Sequence, residues 1–580
     1  MFTTRIVWEI WVGLLLAAVA ASGGVIVDRK AWKEGFDINT DYHDHWPNTG
    51  VLREYWLNIQ NVTLAPDGFE RKNILAFNGT VPGPAIVADW GDTIRVHLTN
   101  HLQNNGTGIH WHGQRMYRKN LHDGVSGVTE CPVAPGATTV YEYQATQYGT
   151  SWYHSHFGLQ YGDGAFGPVV INGPASAQYD HDLGPIMIHD WQHESIDTVF
   201  HRWHQSKKTG LPYSPNGLIN GKNTCPKQQR DKKECKSDGE RWETTLQRGK
   251  KYRLRLVNAS VDNHMKVSLD GHKMWVIAAD FVPVKPFEVE WLDMAIGQRY
   301  DVVIHATGRQ PSYWFRAVSQ DSCSFQSNPN DIKAIFRLAD STRRGFSGHR
   351  ISPRSPFSSL FNPLSPLLTP RSNLNASTPV PPPPLNPTSK PFNTSDFCAD
   401  PPSSSLLPIV PKTPPPVPQN LTTLTTDLQK DHNGLFQWTI NKSPLSLDPS
   451  NPTVFTPGNG SLNANIYECG YETPWVFVKI ESGVDIAHPI HLHGHDFLIL
   501  DEGEGAENRN PPRRDTATLE QGGKMLIAFQ PDNPGAWLMH CHIIWHQDMG
   551  FGIQFLESVE HMEKPSQLHK DMCTAWDKYQ

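Results

Sequence analysis

The sequence has few charged residues and no long helical pattern. Asp, Glu, Lys and Arg make up only 19% of its 580 residues, and no pattern with a helical period extends beyond about a dozen residues. This excludes a coiled coil, which needs sustained heptads. The net charge of -7 and a pI near 6.5 offer no general attraction for nucleic acid, and the sequence has no basic stripe interleaved with aromatic residues. Nucleic-acid binding is therefore not expected.

The N-terminal segment has the features of a secretory signal. An apolar run begins at Ile6, directly after Arg5, and ends in the small residues Ala18 to Ala20, which suit signal peptidase. We predict a signal peptide over residues 1–21 and a secreted protein, extracellular or in the cell wall. The alternative is a signal anchor, because residues 6–27 are just long enough to cross a bilayer, but membrane anchoring is not expected.

Glycosylation sequons and cysteines agree with a secretory route. Nine N-x-S/T sequons begin at Asn61, Asn78, Asn105, Asn258, Asn375, Asn393, Asn420, Asn441 and Asn459. Most of the eight cysteines should be paired in an oxidising compartment. If one cysteine is a metal ligand, seven remain and one of them must be unpaired.

Strand and turn patterns dominate the body of the chain. Residues Tyr252–Val257 alternate polar and apolar side chains as a half-buried strand does, and Asp301–Ile304 and Trp475–Val478 are short β-branched or aromatic runs. Asn-Gly and Asp-Gly dipeptides separate such runs, and the chain contains 45 glycines and 47 prolines. The pattern predicts an all-β protein built of sandwiches or Greek-key barrels.

Proline marks one stretch as an insertion or linker. Residues 351–420 hold 20 of the 47 prolines, which is too many for a packed core. Without this stretch and the signal segment, about 490 residues remain, enough for three domains of roughly 150 to 170 residues. We predict domains at 50–175, 176–340 and 421–580, with a Pro/Ser-rich insertion or linker at 341–420.

Ten of the 28 histidines form four clusters, each of which contains an H-x-H pattern. The clusters are His110-Trp-His112, His154-Ser-His156, His488-Pro-Ile-His491-Leu-His493 and His540-Cys-His542-Ile-Ile-Trp-His546. Residues i and i+2 of a strand project from the same face. Each pattern therefore presents two imidazoles to one side and can serve two neighbouring metal ions.

Cys541 gives the last cluster a second role. It lies between His540 and His542 and must point to the opposite face of a strand. A thiolate with two imidazoles is the ligand set of an electron-transfer copper, and His546 with the distant His488 completes that set. A zinc hydrolase is the alternative for two or three clusters, but hydrolytic zinc keeps three protein ligands and usually a carboxylate base. Ten histidines and a cysteine exceed that need.

These motifs carry a resemblance to a known family. HWHG, HSHFGLQ, HPIHLHGHDF and HCHIIWHQDMG resemble the copper motifs of multicopper oxidases, most closely those of laccases from filamentous, ascomycete-type fungi. The likeness extends from about Leu57 to Trp576. It implies three cupredoxin-like Greek-key β-barrels and four copper ions, with one type 1 ion in the third domain and one type 2 and two type 3 ions between the first and third. The Pro-rich insertion departs from the family pattern at the junction of its second and third domains.

The resemblance also implies a ligand set for each copper. The implied ligands are His488, Cys541 and His546 for type 1, His110 and His491 for type 2, His112, His154 and His542 for one type 3 ion, and His156, His493 and His540 for the other. Ten residues after the cysteine, where relatives place an axial Met or an apolar residue, this chain has Phe551. A phenyl ring cannot bind copper, so a three-coordinate type 1 site with a raised potential is implied. Met549 lies two residues off that position and is expected to pack in the core.

Two carboxylates complete the implied site. Asp123 takes the place of the family's carboxylate beside the type 2 copper, and we predict that it delivers protons; a plain Asp-Gly turn is the alternative. Asp280 aligns with the residue that accepts the phenolic proton in similar enzymes, and a simple strand-end Asp is the alternative. That proton matters because a phenol becomes easier to oxidise as it deprotonates.

The resemblance implies a laccase-like oxidase that takes single electrons from phenols and reduces O2 to water. A dedicated oxidase that couples one phenolic metabolite in pigment or secondary-metabolite biosynthesis would differ only in its pocket loops, so both interpretations stay open. A ferroxidase commonly has an acidic residue three after the cysteine, where this chain has Ile544. A non-catalytic copper protein would tolerate loss of cluster ligands, yet all ten histidines are present. We expect a monomer whose partners are O2 and small phenols.

The same resemblance implies a disulfide pattern. The implied pairs are Cys131 with Cys573, Cys323 with Cys398 and Cys225 with Cys235, and Cys469 is left unpaired and buried. The first pair would tie the first domain to the C-terminal region and brace the interface that holds the cluster.

Overall fold

The computed structural model describes residues 28–207, 212–340, 386–392, 398–457, 465–470, 473–500 and 509–580. The predicted signal segment and most of the Pro-rich insertion lie outside these residues. Within them, the predicted all-β architecture is confirmed, because 30 strands form six sheets, two for each successive part of the chain.

The first barrel is made of two four-stranded sheets. Its strands are β1 Leu52–Leu64, β2 Arg71–Phe77, β3 Ile86–Asp89, β4 Thr93–Asn100, β5 Ile109–Trp111, β6 Thr138–Gln144, β7 Gly149–Ser155 and β8 Phe166–Asn172. The strand orders are β2-β1-β4-β6 and β3-β8-β7-β5. Both sheets contribute to one hydrophobic core that includes Trp90 and Trp111.

The second barrel has a six-stranded and a five-stranded sheet. Its elements are β9 His181–Trp191, α1 Ile196–Gln205, β10 Asn216–Ile219, β11 Glu243–Gln247, β12 Lys251–Asn258, β13 Met265–Leu269, β14 Met274–Ala279, β15 Val282–Val289, β16 Leu292–Met294, β17 Arg299–His305, β18 Ser312–Ser319 and β19 Ile332–Ala339. The strand orders are β10-β9-β12-β17-β14-β15 and β11-β19-β18-β13-β16.

The third barrel repeats that arrangement. Its elements are β20 Thr422–Lys430, β21 Phe436–Ile440, β22 Ile466–Cys469, β23 Val476–Ser482, β24 His488–Leu492, β25 Phe497–Leu500, β26 Arg513–Arg514, β27 Thr516–Leu519, β28 Lys524–Phe529, β29 Gly535–Cys541, α2 Ile544–Asp548, β30 Gly552–Glu557 and α3 Gln567–Tyr579. The strand orders are β21-β20-β23-β28-β25-β26 and β22-β30-β29-β24-β27.

One tight turn recurs in all three barrels. It is formed by Asn78-Gly79 after β2, Asn220-Gly221 after β10 and Asn441-Lys442 after β21, and every one of these six residues has a positive φ. Two consecutive positive φ angles define the type I′ hairpin turn, which favours Asn followed by Gly. Each asparagine Oδ1 also accepts a backbone hydrogen bond, at 2.7 to 2.9 Å, from a neighbouring strand. The shared turn marks the three barrels as an internal repeat.

The alternating strand β12 differs from the sequence prediction. It was predicted to be half-buried, but Arg253 and Arg255 are only 3% and 1% exposed. Arg255 forms an ion pair with Asp182 and donates a hydrogen bond of 2.9 Å to Thr150 Oγ1 of the first barrel. The polar face of β12 therefore meets the neighbouring barrel instead of solvent.

Three disulfides have the implied pairing. Cys131–Cys573, Cys225–Cys235 and Cys323–Cys398 are bonded, and Cys469 is buried and free. The first bond attaches α3 to the first barrel. Among the described residues, no helix has the length and apolar character needed to cross a bilayer.

Candidate metal centre

The register of two strands separates the four histidine clusters into two centres. β24 and β29 pair antiparallel with Ile490 opposite Cys541 and His491 opposite His540. Because side chains alternate along a strand, Cys541 lies on the face opposite to His540. The register therefore agrees with the prediction, made from the H-x-H patterns, that Cys541 points away from its two neighbouring histidines.

Cys541 lies between two imidazoles in the first centre. Its Sγ is 3.7 Å from His488 Nδ1 and 3.5 Å from His546 Nδ1, and all three side chains are buried. His546 reaches this position because the single-turn helix α2 follows β29 directly. Burial raises the pKa of the Cys541 thiol and lowers the pKa of His488 to about 3. A buried thiol of this kind ionises when a metal ion binds it.

Two aromatic rings close the first centre. The Trp438 ring centroid lies 4.4 Å from that of His546 and 4.8 Å from that of His488. Phe551 lies 5.0 Å from His488 and stacks on Trp438. The family resemblance implied Phe551 beside the type 1 copper, but nothing in the sequence indicated Trp438. Met549 is buried in the hydrophobic core.

The other eight histidines meet in a second centre formed by residues of the first and third barrels. Three nitrogen pairs lie close together: His110 Nε2 with His491 Nε2 at 3.5 Å, His112 Nδ1 with His542 Nε2 at 3.2 Å, and His493 Nε2 with His540 Nε2 at 3.2 Å. The ligand atoms of His156, His493 and His540 lie within 4.8 Å of one another. His154 Nε2 and His156 Nε2 are buried and have no hydrogen-bond partner in the described part of the chain.

Burial keeps six imidazoles of the second centre neutral. It is the largest cause that lowers the pKa of His112, His154, His156, His491, His493 and His542 well below the usual value. A neutral imidazole has one nitrogen with a free lone pair, which is the form that binds metals. Facing lone pairs 3.2 Å apart in a buried space fit a bound cation.

Asp123 connects two histidines of the second centre. It is fully buried, with Oδ1 3.1 Å from His110 Nδ1 and Oδ2 2.9 Å from His493 Nδ1. The Asp123 carboxylate is hydrogen-bonded to His493 Nδ1, whereas His110 Nδ1 is hydrogen-bonded to the Asp123 backbone carbonyl at 3.0 Å. An oxygen that accepts the Nδ1 proton fixes the tautomer and leaves Nε2 for a metal. The position beside the implied type 2 ligand His110 is the one predicted. Proton delivery by Asp123 stays a prediction.

Residues that sequence analysis missed hold the opposite side of this centre. The Asp515 carbonyl lies 2.8 Å from His491 Nδ1, and Thr516 Oγ1 lies 3.2 Å from His112 Nε2. Arg299 of the second barrel donates to both Asp515 carboxylate oxygens, at 2.5 and 2.6 Å. All three barrels thus contribute to holding the second centre. No local pattern marks these residues, because each contact joins distant parts of the chain.

Asp280 lies in the same junction and not in an open pocket. Its carboxylate accepts hydrogen bonds from the backbone N–H groups of Arg299, Asp515 and Thr516 and from the Arg514 guanidinium, at 3.0 to 3.4 Å. Although burial opposes it, the pKa of Asp280 is lowered because Arg514 and Arg299 stabilise the charged form. These contacts leave no carboxylate oxygen free for a phenol, so they disagree with the predicted role.

A different aspartate stands beside the first centre. Asp262 is 1% exposed, and its two carboxylate oxygens have no hydrogen-bond partner among the described residues. The backbone carbonyl of its neighbour Val261 accepts a hydrogen bond of 3.0 Å from Ile544 N, at the start of α2. Burial and the Asp190 carboxylate raise the pKa of Asp262 well above its usual value, and the nearby backbone N–H of Phe325 opposes this rise only weakly. Sequence analysis missed it, because a lone Asp in a strand-rich segment carries no signal of its own.

Comparisons with known proteins agree over nearly the whole chain. Family profiles described as Multicopper oxidase match residues 58–176, 182–336 and 412–561. Laccase-2 of Botryotinia fuckeliana is 39% identical over 97% of this chain and 92% of its own length, and dihydrogeodin oxidase of Aspergillus terreus is 36% identical over 95% and 92%. The crystal structure of the laccase from Botrytis aclada superposes with a TM-score of 0.83 at 38% identity, covering 96% of this chain and 97% of that one. The chain belongs to the multicopper oxidase family.

Membership of the multicopper oxidases implies one type 1, one type 2 and two type 3 coppers, and the residues of this oxidase fit them. A thiol with two imidazoles suits the type 1 ion, and eight buried imidazoles suit the other three. The groups His488–Cys541–His546 and His156–His493–His540 coincide with two of the implied ligand sets. The assignment of every ligand to an individual ion stays a prediction.

Proposed function

We propose that this multicopper oxidase is a laccase-type enzyme that oxidises small phenols one electron at a time and reduces O2 to water. The observation that carries the proposal is the position of Cys541 between two Nδ1 atoms, with the adjacent His540 and His542 in the second centre. Bound copper supplies the one-electron chemistry and the reduction of O2. The protein holds the ligands in place, buries both centres away from water, and accepts or supplies protons.

We infer that Asp262 receives the phenolic proton. Its carboxyl group lies close enough to Cys541 to raise the pKa of that thiol, and its oxygens have no other partner among the described residues. Because its pKa is raised, the Asp262 carboxyl stays protonated to a higher pH than an exposed aspartate, so it accepts a proton only above that pH. Asp280, the residue chosen from the sequence, already accepts five hydrogen bonds.

A dedicated oxidase for one phenolic metabolite is the second candidate. Dihydrogeodin oxidase, whose name specifies a single substrate, resembles this chain over almost its whole length.

We also propose that the enzyme is secreted, which the signal-like N-terminus and three disulfides support. Domains at 50–175, 176–340 and 421–580 are proposed as well, and the strand composition of the six sheets supports them.

The experiment compares two buried free cysteines. Cys541→Ser should abolish the intense blue absorption and phenol-dependent O2 uptake, because a hydroxyl is a poor substitute for a thiolate at copper. Cys469→Ser makes the same chemical change at the other buried free cysteine and should leave both signals intact. Phenol oxidation at the wild-type rate by a copper-loaded Cys541→Ser enzyme would contradict the proposal.

The substrate class would be tested with the wild-type enzyme. A panel of phenols, a non-phenolic donor and Fe(II) would be compared by O2 uptake. A broad laccase oxidises many phenols with similar specificity constants, whereas a dedicated oxidase prefers one by orders of magnitude. A specificity constant far higher for Fe(II) than for any phenol would replace the laccase proposal with a metal oxidase.

A further inference from the structure

A buried histidine, His264, lies beside the disulfide between Cys323 and Cys398. One of its ring nitrogens and the two sulfur atoms all lie within 4.8 Å of one another. The histidine is only 2% exposed, and its Nε2 has no hydrogen-bond partner among the described residues. Neither candidate copper centre includes this group. A buried polar atom without a partner is costly, and its position beside two sulfur atoms points to a ligand.

Backbone hydrogen bonds hold His264 against the loop that carries Cys323. His264 N donates a hydrogen bond of 2.9 Å to Ser324 Oγ, and the His264 carbonyl accepts one of 3.2 Å from Gln320 N. Both partners flank Cys323 in the chain. Burial lowers the pKa of His264 to about 4, and the Asp400 carboxylate only partly opposes this shift. The ring is therefore neutral at pH 7, and one of its nitrogens keeps a lone pair that can bind a metal.

The disulfide lies at the edge of the core and close to the first centre. Cys323 is 9% exposed and Cys398 is 8% exposed. Thiol–disulfide exchange needs access to a sulfur atom, and this partial exposure gives a small reductant a point of attack. Both cysteines pack against Ala487, which directly precedes the implied type 1 ligand His488. A metal ion held by the opened pair would therefore lie beside the type 1 ligands.

We propose that Cys323, Cys398 and His264 form a redox-dependent Cu(I) site, which binds one ion when a small dithiol opens the disulfide. The dithiol supplies the two electrons and two protons that convert the S–S bond into two thiols, and it becomes a disulfide itself. Binding of Cu(I) displaces the thiol protons to solvent, and the ion keeps its oxidation state. When a small disulfide accepts two electrons from the pair, the S–S bond re-forms and Cu(I) is released. The inference does not depend on phenol oxidation.

The ligand set favours Cu(I) over Zn(II). Thiolates are soft ligands that select Cu(I) or zinc, and imidazole suits both metals. Structural zinc sites almost always have four ligands, whereas this group offers three. The nearby Asp400 carboxylate already accepts hydrogen bonds from Gln298 and Thr518, at 2.6 to 3.1 Å, so it is not a free fourth ligand. Two thiolates and one imidazole match the three-coordinate geometry that Cu(I) readily adopts.

The experiment counts copper in the copper-loaded enzyme before and after the disulfide is opened. The enzyme would be treated anaerobically with a water-soluble phosphine, which reduces the disulfide and is itself oxidised with an oxygen atom from water. After its removal, Cu(I) would be added as a complex with a competing chelator. The treated wild type should bind one copper ion per chain more than the untreated enzyme and should gain ultraviolet Cu(I)–thiolate absorption. Oxidised glutathione should release that ion.

Two double variants show which cysteines bind the additional ion. Cys323→Ser combined with Cys398→Ser removes both sulfur atoms and should abolish the additional copper. Cys225→Ser combined with Cys235→Ser removes another disulfide from the second barrel and should leave the additional copper in place. Because the phosphine treatment is the same for both proteins, any copper that it strips from the other centres affects them equally.

A histidine variant tests the third ligand and keeps the disulfide. Loss of even an indirect partner of a metal ligand lowers metal affinity about 10- to 100-fold, so His264→Gln should lower the Cu(I) affinity of the opened pair at least about tenfold. His272→Gln is the matched control. His272 is also buried in the second barrel, and its Nε2 also has no partner in the described part of the chain. The control should bind Cu(I) as the wild type does.

Four outcomes would overturn the proposal. The first is a disulfide that no reductant opens in the folded protein, as thiol counting would show. The second is an opened wild type that binds no additional Cu(I), or that binds Zn(II) in its place. The third is additional copper that disappears with Cys225 and Cys235 and not with Cys323 and Cys398. The fourth is wild-type Cu(I) affinity in His264→Gln, which decides the matter even if the variant without the disulfide fails to fold.

Discussion

Two buried aspartates next to the candidate centres differ in what their oxygens contact. Asp280 accepts hydrogen bonds from the Arg514 side chain and three backbone N–H groups, whereas neither oxygen of Asp262 has a partner among the described residues. The Asp280 carboxylate, which already accepts five hydrogen bonds, stabilises the fold. The Asp262 carboxylate has free oxygens beside a redox centre and can accept a proton. This difference is visible only in the fold, because both residues are single aspartates in strand-rich sequence.

Substitution by asparagine should have different effects at the two aspartates. Asp262→Asn should lower phenol oxidation about tenfold or more and leave a non-phenolic donor unaffected, because only the phenol loses a proton on oxidation. Asp280→Asn should lower both activities equally and reduce the free energy of unfolding by a few kcal/mol, since breaking a buried ion pair costs about 3 to 5 kcal/mol. Steady-state rates with both donors and thermal unfolding would be measured. A loss confined to phenols in Asp280→Asn would restore the role predicted from the sequence.

Phe551 is expected to affect the reduction potential of the type 1 copper. Its ring lies 5.0 Å from that of His488, and it has no group that can bind copper. Phe551→Met should lower the reduction potential of the type 1 copper by adding a weak axial ligand, as a redox titration of the blue absorption would show. Met549→Leu is the control, because Met549 packs in the core and its substitution should leave the potential unchanged. An unchanged potential in Phe551→Met would mean that position 551 is not axial.

At the scale of elements, the sequence predicted the two centres because strand geometry is local. Residues i and i+2 share a face wherever a strand forms, so the H-x-H patterns indicated paired imidazoles, and the intervening Cys541 had to point away. The pairing of β24 with β29 agrees with that geometry. The Arg299–Asp515 contact spans more than two hundred residues and depends on how the barrels pack, which no periodicity in the sequence encodes.

The same limit explains where the strand and sequon predictions differ from the fold. An alternating pattern indicates that one face is polar, but not whether solvent or another barrel covers it, and β12 packs its arginines against the first barrel. The sequon at Asn258 is fully buried, and its amide donates to the Asn263 and Met294 carbonyls. That amide is therefore a structural group of the second barrel and not a surface acceptor for a glycan.

The recurring turn predicts a stabilising substitution. Lys442 has φ 69° at the position where the first two barrels have glycine. The left-handed conformation costs a residue with a Cβ about 1 to 2 kcal/mol, part of which glycine loses again through entropy of the unfolded chain. Lys442→Gly should raise the free energy of unfolding by about 1 kcal/mol, and the reverse change Gly79→Lys in the first barrel should lower it. Chemical denaturation would measure both. A destabilised Lys442→Gly protein would show that the lysine side chain makes a contact worth more than the strain.

At the scale of the whole molecule, stability depends on many buried histidines that must stay neutral. Burial lowers the pKa of His488 to about 3 and of His540 to about 4, and it lowers the pKa of the other cluster histidines whose shift is resolved. In the unfolded chain each of them titrates near 6.5. Eight carboxyl groups among the described residues act in the opposite sense, because burial raises their pKa; for Asp515 and Asp548 it rises to about 6. The histidines outnumber them.

Acid should therefore destabilise the protein, and removal of copper should make this easier to observe. Between about pH 6.5 and 4 the unfolded chain binds protons that the folded chain excludes, so each such histidine lowers the free energy of unfolding by up to about 1.4 kcal/mol per pH unit. Copper binds only the folded ligand sets and adds stability by mass action. The copper-free protein should unfold at a lower temperature than the loaded enzyme at pH 7, and its unfolding temperature should fall further at pH 6 and pH 5. Calorimetry at the three pH values would test this. An unfolding temperature of the copper-free protein that stays constant or rises on acidification would mean that the clusters take up protons without unfolding, and that burial does not keep these imidazoles neutral.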